Sequence, residues 1–403
     1  MNKIFKSAMF FAAAVTIGLT SCGSDDDNNN VSTTSMTSNS YLSRVEQIID
    51  GCIDIANEVG TAKIGEPVDL WNAGDRTKAL YAVESWYSWH SRDDYKNNIL
   101  SIANSLAGSC LSQDEFLSIT NLSDLKNSNS LIYVAYNNAA TKNDAIDVWD
   151  KTLHAWAAID AIPQPFRNNI GSDEAAEAME ACASLNTSLE SLKGKIENLS
   201  EEQCKNVVVN FVDAVVMPTY QNLVAKNQAL LAAVTAFQAN PSNDTFASAC
   251  EAWLAARQPW ETSEAFLFGP VSDMGLDPNM DSWPLDADGI YQLLKSQQWA
   301  EMQWNGDYDE NSKAIEAAQA LRGFHTLEYL LFKDGQPRTI GGTNSDPVNP
   351  QELNYSDDLA DAWGNYAVNV ARLLNNDSNN LYKAWNSSYA NAFKSKDASS
   401  IGF

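Results

Sequence analysis

The chain has 403 residues, 44% hydrophobic and 10% aromatic with 12 Trp, enough apolar mass for two or three structural units and too much for wholesale disorder. Lys and Arg number 26 against 52 Asp and Glu, a formal net charge of −26. A field this negative repels phosphate backbones and anionic headgroups, which excludes nucleic acid as a partner.

Residues 1–21 read as a signal peptide, with Lys3 and Lys6 ahead of an apolar run from Ala8 to Leu19 that is too short to span ~30 Å of hydrocarbon. Leu19-Thr20-Ser21-Cys22 has the form of a bacterial lipobox, which makes Cys22 the lipidation site and the lipid the membrane contact. An ordinary signal peptide with an incidental Cys is the alternative. Residues 22–40 are polar and low in complexity, a flexible tether behind the lipidated Cys. Asp25-Asp26-Asp27 resembles the acidic export signals of surface lipoproteins in Bacteroides-type bacteria, unless it is merely a soluble linker. The expected location is the outer membrane, facing the periplasm or the cell surface.

From Tyr41 onward apolar residues recur at spacings of three and four, Ala is abundant, and Pro falls between periodic stretches. The expected fold class is all-α, with helical bundles over 41–205 and 206–403. Val207 to Val216 is Val-rich but runs on through Met217-Pro218 to Phe237, which argues for helix with a Pro-marked interruption. Alternating strands with hairpin turns are not found. Ser242-Asn243-Asp244 after Pro241 starts a helix, and Gly335 to Pro350 is the longest loop candidate. Five Cys follow Cys22, at 52, 110, 182, 204 and 250, without CxxC or zinc spacing, and are read as small core residues. Ala82-Val83-Glu84-Ser85-Trp86 and Ala249-Cys250-Glu251-Ala252-Trp253 share A-x-E-x-W, by chance or as a trace of two similar halves.

Asn311 to Phe332 reads as one helix with Leu321, His325, Glu328 and Phe332 on a single apolar stripe. Helix positions three apart lie ~4.5 Å apart along the axis, so His325 and Glu328 can hold one cation. A structural His–Glu pair, or compensation by Arg322, is the alternative, because a buried carboxylate needs a positive partner. Gly323 marks a close approach of backbone or ligand. In Arg257 to Pro270, Glu264 stands among Trp260, Phe266, Leu267 and Phe268, with Arg257 its nearest cation by sequence. Those two are either a surface pair or part of one cleft with the HxxE stripe. Asp277, Asn279, Asp281 and Asp288 imitate a calcium loop imperfectly, because Ser282 and Pro284 replace the expected residues. His90 and His154 stand beside Trp residues and suit packing or capping.

The blocks W-x-x-x-E-A-F-x-F-G-P and G-x-H-x-x-E-Y-L-L-F, with Asp281-Ser282-Trp283-Pro284 between them, resemble the imelysin-like proteins, also called a peptidase family. The resemblance implies an all-helical fold of two bundle-like halves, an exported protein and a role in iron acquisition. Carried over, the motif residues are Gly323, His325 and Glu328, with Trp260, Glu264, Phe268, Gly269 and Pro270. Here about 200 residues precede the first block, whereas in most such proteins it lies near the mature N-terminus. Ser88 to Ile99 is similar to part of the family's usual C-terminal half, so the order reads as circularly permuted.

The first functional expectation is a lipid-anchored binding protein without catalytic residues, holding iron, zinc or an iron-containing ligand between the bundles. Its expected metal ligands are His325, Glu328 and Glu264, and its ligand-binding residues Arg257, Trp260, Phe268, Gly269, Gly323 and Arg322. Outer-membrane iron-transport components are the expected partners. One imidazole with two carboxylates favours Fe or Zn over Ca or Mg. The second is a metallopeptidase, which H-T-L-E suits poorly, since helical zinc peptidases use two His in H-E-x-x-H. The third, a glycan-binding surface lipoprotein, rests on the 12 Trp alone.

Overall fold

The computed structural model describes residues 40–341, 354–397 and 399–401; the signal peptide, Cys22, the tether up to residue 39, and residues 342–350 of the expected loop lie outside them. The long helices are α1 (Tyr41–Glu58), α2 (Ser91–Ala107), α3 (Lys142–Ala161), α4 (Asp173–Lys193), α5 (Glu201–Phe211), α6 (Met217–Ala239) and α7 (Asn243–Glu261). The site adds short α8 (Leu276–Asp281) and α9 (Phe324–Leu331), and α10 (Ala360–Ala384) follows. Strand among the described residues is limited to a two-residue antiparallel pair, Phe332–Lys333 with Gln336–Pro337. The all-α expectation holds.

Helix starts follow side-chain capping. Ser40, Ser200 and Ser242 each accept a bond from the backbone three residues on and close a capping box, so the start at Ser242 is as expected. The Val-rich stretch is helical too: a π-turn over Val212–Val216 joins α5 to α6 without a break, just ahead of Pro218, whose missing N–H interrupts the backbone ladder of the continuous helix there. By length and composition Glu201–Ala239 could cross a membrane, but half of its apolar window is buried within this fold.

α1 packs on α2, α4 and α5, and α3 on α2 and α4; α6 packs on α7 and α10, and α9 on α7 and α10. The two sets meet where α7 touches α2 and where the turn Glu264–Phe266 lies on α1 and α2. Gly51 of α1 makes that contact feasible, because a Cβ there would stand 2.1 Å from the Ala265 carbonyl oxygen. Ser101 Oγ accepts the Ala265 N–H at 3.1 Å, so the turn is fixed from both helices.

Several expectations are corrected. The single helix over Asn311–Phe332 is two, Lys313–Gln319 and α9, because Gly323 adopts φ +94° and turns the chain. A Cβ on Gly323 would lie 2.6 Å from the Met280 carbonyl oxygen, so the close approach inferred there is real and lies outside the helix. Pro259 sits inside α7. Cys110 is exposed, while the other four described cysteines are buried. The calcium-loop imitation fails because Asp277, Asn279 and Asp281 are helical, and Asn279 Oδ1 accepts from Gln319 Nε2 at 2.9 Å. The two A-x-E-x-W segments differ locally, since Glu84 lies in a turn and Glu251 within α7. His154 is exposed.

Candidate metal centre

Arg257, fully buried on α7, is the hub of an ionic cluster. Its Nη2 stands 2.6 Å from Glu261 Oε1 one turn on, its Nε 3.3 Å from Asp94 Oδ2 of α2, and its Nη1 against Asp281 Oδ1 at the end of α8. One guanidinium thus ties three elements together, which its rigid fork of five donors suits. Asn98 Nδ2 donates to Glu261 Oε2 at 2.6 Å, Ser85 Oγ to Asp94 at 2.6 Å, and Trp260 Nε1 to Asp281 Oδ2 at 2.7 Å.

The motif helix α9 enters from the other side. His325 Nε2 is 3.1 Å from Asp281 Oδ1 and its Nδ1 is 3.1 Å from Glu328 Oε2, the i,i+3 contact the spacing predicts. Both ring nitrogens face carboxylates, so both donate and the ring is an imidazolium. Burial and the nearby Arg257 charge press His325 downward, but Asp281 and Glu328 outweigh them and hold it at about 9. Glu328 Oε1 accepts from Ser88 N at 2.8 Å and from Ser88 Oγ at 2.7 Å. The Ser88 loop carries Ser85 and Trp89 at φ +50° and +59°, unusual for residues with a Cβ and a mark of strain at functional sites.

Glu264 is the exception. It is 7% exposed, and no hydrogen bond or ion pair reaches it from the described residues. One ligand atom from each of Glu261, Glu264 and Asp281 lies within 4.8 Å of the others, a spacing that can hold a metal ion. Burial pushes Glu264 well above the usual carboxylate range, and Glu261, Glu58 and Asp281 add to the push against Lys63. Burial, reinforced by Asp94 and Asp281, raises Glu261 to about 8 despite Arg257. Burial and Asp281 raise Asp277 to about 7. Asp281 goes the other way: burial opposes its charge, but Arg257 and His325 hold its carboxyl well below the usual range. Four carboxylates, Asp94, Glu261, Asp281 and Glu328, thus share two cations, Arg257 and His325, while Glu264 meets neither and is acted on by Lys63, which is bonded elsewhere. The excess must be met by protons or by an added cation.

The sequence candidates separate accordingly. Arg257, Trp260, Glu264, His325 and Glu328 all belong to this cluster or touch it. Arg322, adjacent to the motif, points elsewhere: it pairs with Asp377 of α10 and donates to the Met302 carbonyl at 3.3 Å. Phe268 stacks on Phe211 and Phe393, and Gly269, at φ +62°, lies under the Tyr389 ring, so both serve an aromatic cluster. Asp94, Glu261 and Ser88 are not among the sequence candidates for the site, and Asp281 enters only through the calcium-loop imitation and the D-S-W-P block. Glu261 alone had a local signal, four residues after Arg257 on one helix.

The imelysin family model, a peptidase family by its description, matches residues 26–192 and 216–401. The chain belongs to the imelysin family. Iron-regulated protein A of Synechococcus elongatus is 33% identical over 131 residues, and the match spans 32% of this chain and 32% of that relative. The crystal structure of an imelysin peptidase from Bacteroides ovatus is similar at TM-score 0.69 and 52% identity, covering 74% of this chain and 82% of that one. The match spans about a third of that iron-regulated relative, and the resemblance carried by the two motif blocks holds.

Proposed function

We propose that this imelysin-like protein binds iron, held between the Glu264 turn, the end of α7 and the end of α8 by Glu261, Glu264 and Asp281. The observation that carries the reading is Glu264, a buried carboxylate without a positive partner beside two others. All three donors are oxygens, since both nitrogens of His325 are engaged; such a hard set also suits Mg, Ca and Mn, so iron is proposed from the similarity to iron-regulated protein A and not from donor type. His325 and Glu328 then act from behind, orienting Asp281 as outer-shell groups orient a ligand. Lipid anchoring at Cys22 in the outer membrane, facing periplasm or surface, and delivery of the metal to iron-transport components complete the proposal. The rotated order of the motif blocks belongs to it as well.

The test is Fe²⁺ binding under anaerobic conditions, followed by calorimetry and by melting temperature. Binding to the folded state alone raises stability by RT ln(1 + [L]/Kd). Glu264→Gln should abolish the rise while the metal-free protein melts no lower, because the amide matches the neutral carboxyl that burial favours there. Affinity should strengthen as pH rises from 6 to 9, since the cation must displace protons from Glu264 and from Glu261, whose carboxyl titrates at about 8. An Fe²⁺ response that survives Glu264→Gln refutes the site, and metal-dependent peptide cleavage lost in the same variant makes the protein a peptidase. Cys22→Ser should release the protein from membranes; retention there with normal processing removes the lipid anchor.

A further inference from the structure

On the solvent side of the cluster stands a second imidazole with carboxylates about it. His90 lies just ahead of α2 with its side chain 22% exposed; it makes no cap bond to the helix, and its ring meets Trp253 edge to face at 6.4 Å. His90 Nε2 is 3.7 Å from Asp94 Oδ1, and Nδ1 is 3.5 Å from Asp93 Oδ2. Asp94 is 1% exposed; its Oδ2 accepts from Ser85 and Arg257, but its buried Oδ1 has no hydrogen-bond partner among the described residues. The 3.7 Å gap between that oxygen and the imidazole nitrogen is telling. It is too long for a hydrogen bond, whose N···O distance is ~3 Å, and too short for a bridging water, which would part the two atoms by ~4.6 Å. Two ligands each ~2.1 Å from one ion and ~120° apart stand ~3.6 Å from each other.

We propose that His90 Nε2 and Asp94 Oδ1 form an outer binding site for a divalent transition-metal ion, with water completing the shell, separate from Glu261, Glu264 and Asp281. An imidazole in the ligand set selects transition ions over Mg and Ca. Asp93 is the positioning residue: facing Nδ1, it keeps the ring proton there and leaves Nε2 to the metal, while Lys96, 2.8 Å from its other oxygen, steadies it. Asp93 and Asp94 also lie in the first turn of α2, where they offset the positive end of the helix, so a cation is not repelled. Because the other oxygen of Asp94 faces Arg257, the outer ion borders the buried hub across one carboxylate. It marks the point at which a metal leaves solvent.

The experiment titrates Zn²⁺ into the full chain, stripped of metal, and follows calorimetry together with the ¹⁵N resonances of the three imidazoles. In wild type the His90 signal should shift as one ion binds, while the buried His325 signal stays in place. His90→Gln should remove that binding step without lowering the metal-free melting temperature, and His154→Gln, at an exposed histidine elsewhere, should leave it intact. Asp93→Asn should weaken the step about tenfold, as loss of an orienting carboxylate behind a metal-bound imidazole does. Should His90→Gln not fold, the wild-type resonances decide alone. A His90 signal unmoved by Zn²⁺, or an isotherm unchanged in His90→Gln, overturns the site and makes His90–Asp94 a structural pair. An isotherm altered as much by His154→Gln overturns it too, as adventitious surface binding, and full affinity in Asp93→Asn overturns the role given to Asp93.

Discussion

Two of the buried arginines in this fold, Arg322 and Arg257, are held in opposite ways. Arg322 meets a single carboxylate, Asp377, and a backbone carbonyl, so its charges balance one to one. Arg257 meets Asp94, Glu261 and Asp281 at once, with His325 beside it and Glu264 close by. A balanced pair is complete and calls for nothing more, which is how structural ion pairs look. An unbalanced cluster stores electrostatic repulsion in the metal-free protein, and that repulsion is what a cation relieves on binding. Both arginines were candidates by sequence; the count of carboxylates around each separates scaffold from site.

The largest effect should come from removing the hubs themselves. Arg257→Met leaves three buried carboxylates without their main cation and should cost about 4 kcal/mol in chemical denaturation, or prevent folding. Arg322→Met leaves one carboxyl that can take up one proton, and should cost about 2 kcal/mol at neutral pH. Equal losses would break the comparison, because charge imbalance would then have no bearing on how much each hub holds.

The next test is pH, and it sharpens the balanced side. Burial, against the pull of Arg322, raises Asp377 to about 6, above its ordinary 3.8. A carboxyl raised on folding contributes stability that is fully present below its unfolded value and is lost as pH rises through the folded one. The window is therefore pH 3.8 to 6, and the contribution is on the order of 3 kcal/mol. Asp377→Asn should flatten the stability curve across that window relative to wild type, measured as the difference between two urea series at pH 4 and pH 7. A constant difference would mean that Asp377 is ionised throughout.

How much of this was legible in the sequence depends on distance along the chain. The helical fold, the Ser242 cap and the His325–Glu328 contact are local, set by spacing within a few residues, and the sequence alone predicts them. Asp94 and Asn98 reach the cluster from 163 residues before their partners on α7, and Ser88 from 240 before Glu328. Periodicity carries no signal across such spans. Arg322 misleads for the opposite reason: it adjoins the motif in sequence, but Gly323 turns the chain between them. Arg257 and Glu264, weighed as a pair seven apart on one helix, are split because α7 ends at Glu261 and Glu264 begins a 3₁₀ turn. The motif block thus marks the right region while the charge balance, which decides its chemistry, is assembled from remote segments.

The smallest expected effect probes the unbalanced side from behind. Ser88 supplies two donors to one oxygen of Glu328, its hydroxyl and its backbone N–H, while the other oxygen faces His325. Ser88→Ala removes the hydroxyl and keeps the N–H, so Glu328 retains one of its two loop bonds. The cost should be about 1 kcal/mol, the net worth of one hydrogen bond to a carboxylate at the low end. A Glu328 less firmly held is a less steady partner for His325, yet Asp281 still faces the other ring nitrogen, so the imidazolium should persist and its NMR titration should stay well above the ordinary histidine value. Fe²⁺ affinity should change little, because Glu328 is not among the proposed ligands. A large loss of Fe²⁺ binding in Ser88→Ala, with stability barely altered, would move Glu328 from the back of the site to its front and make the HxxE pair the metal's own ligands.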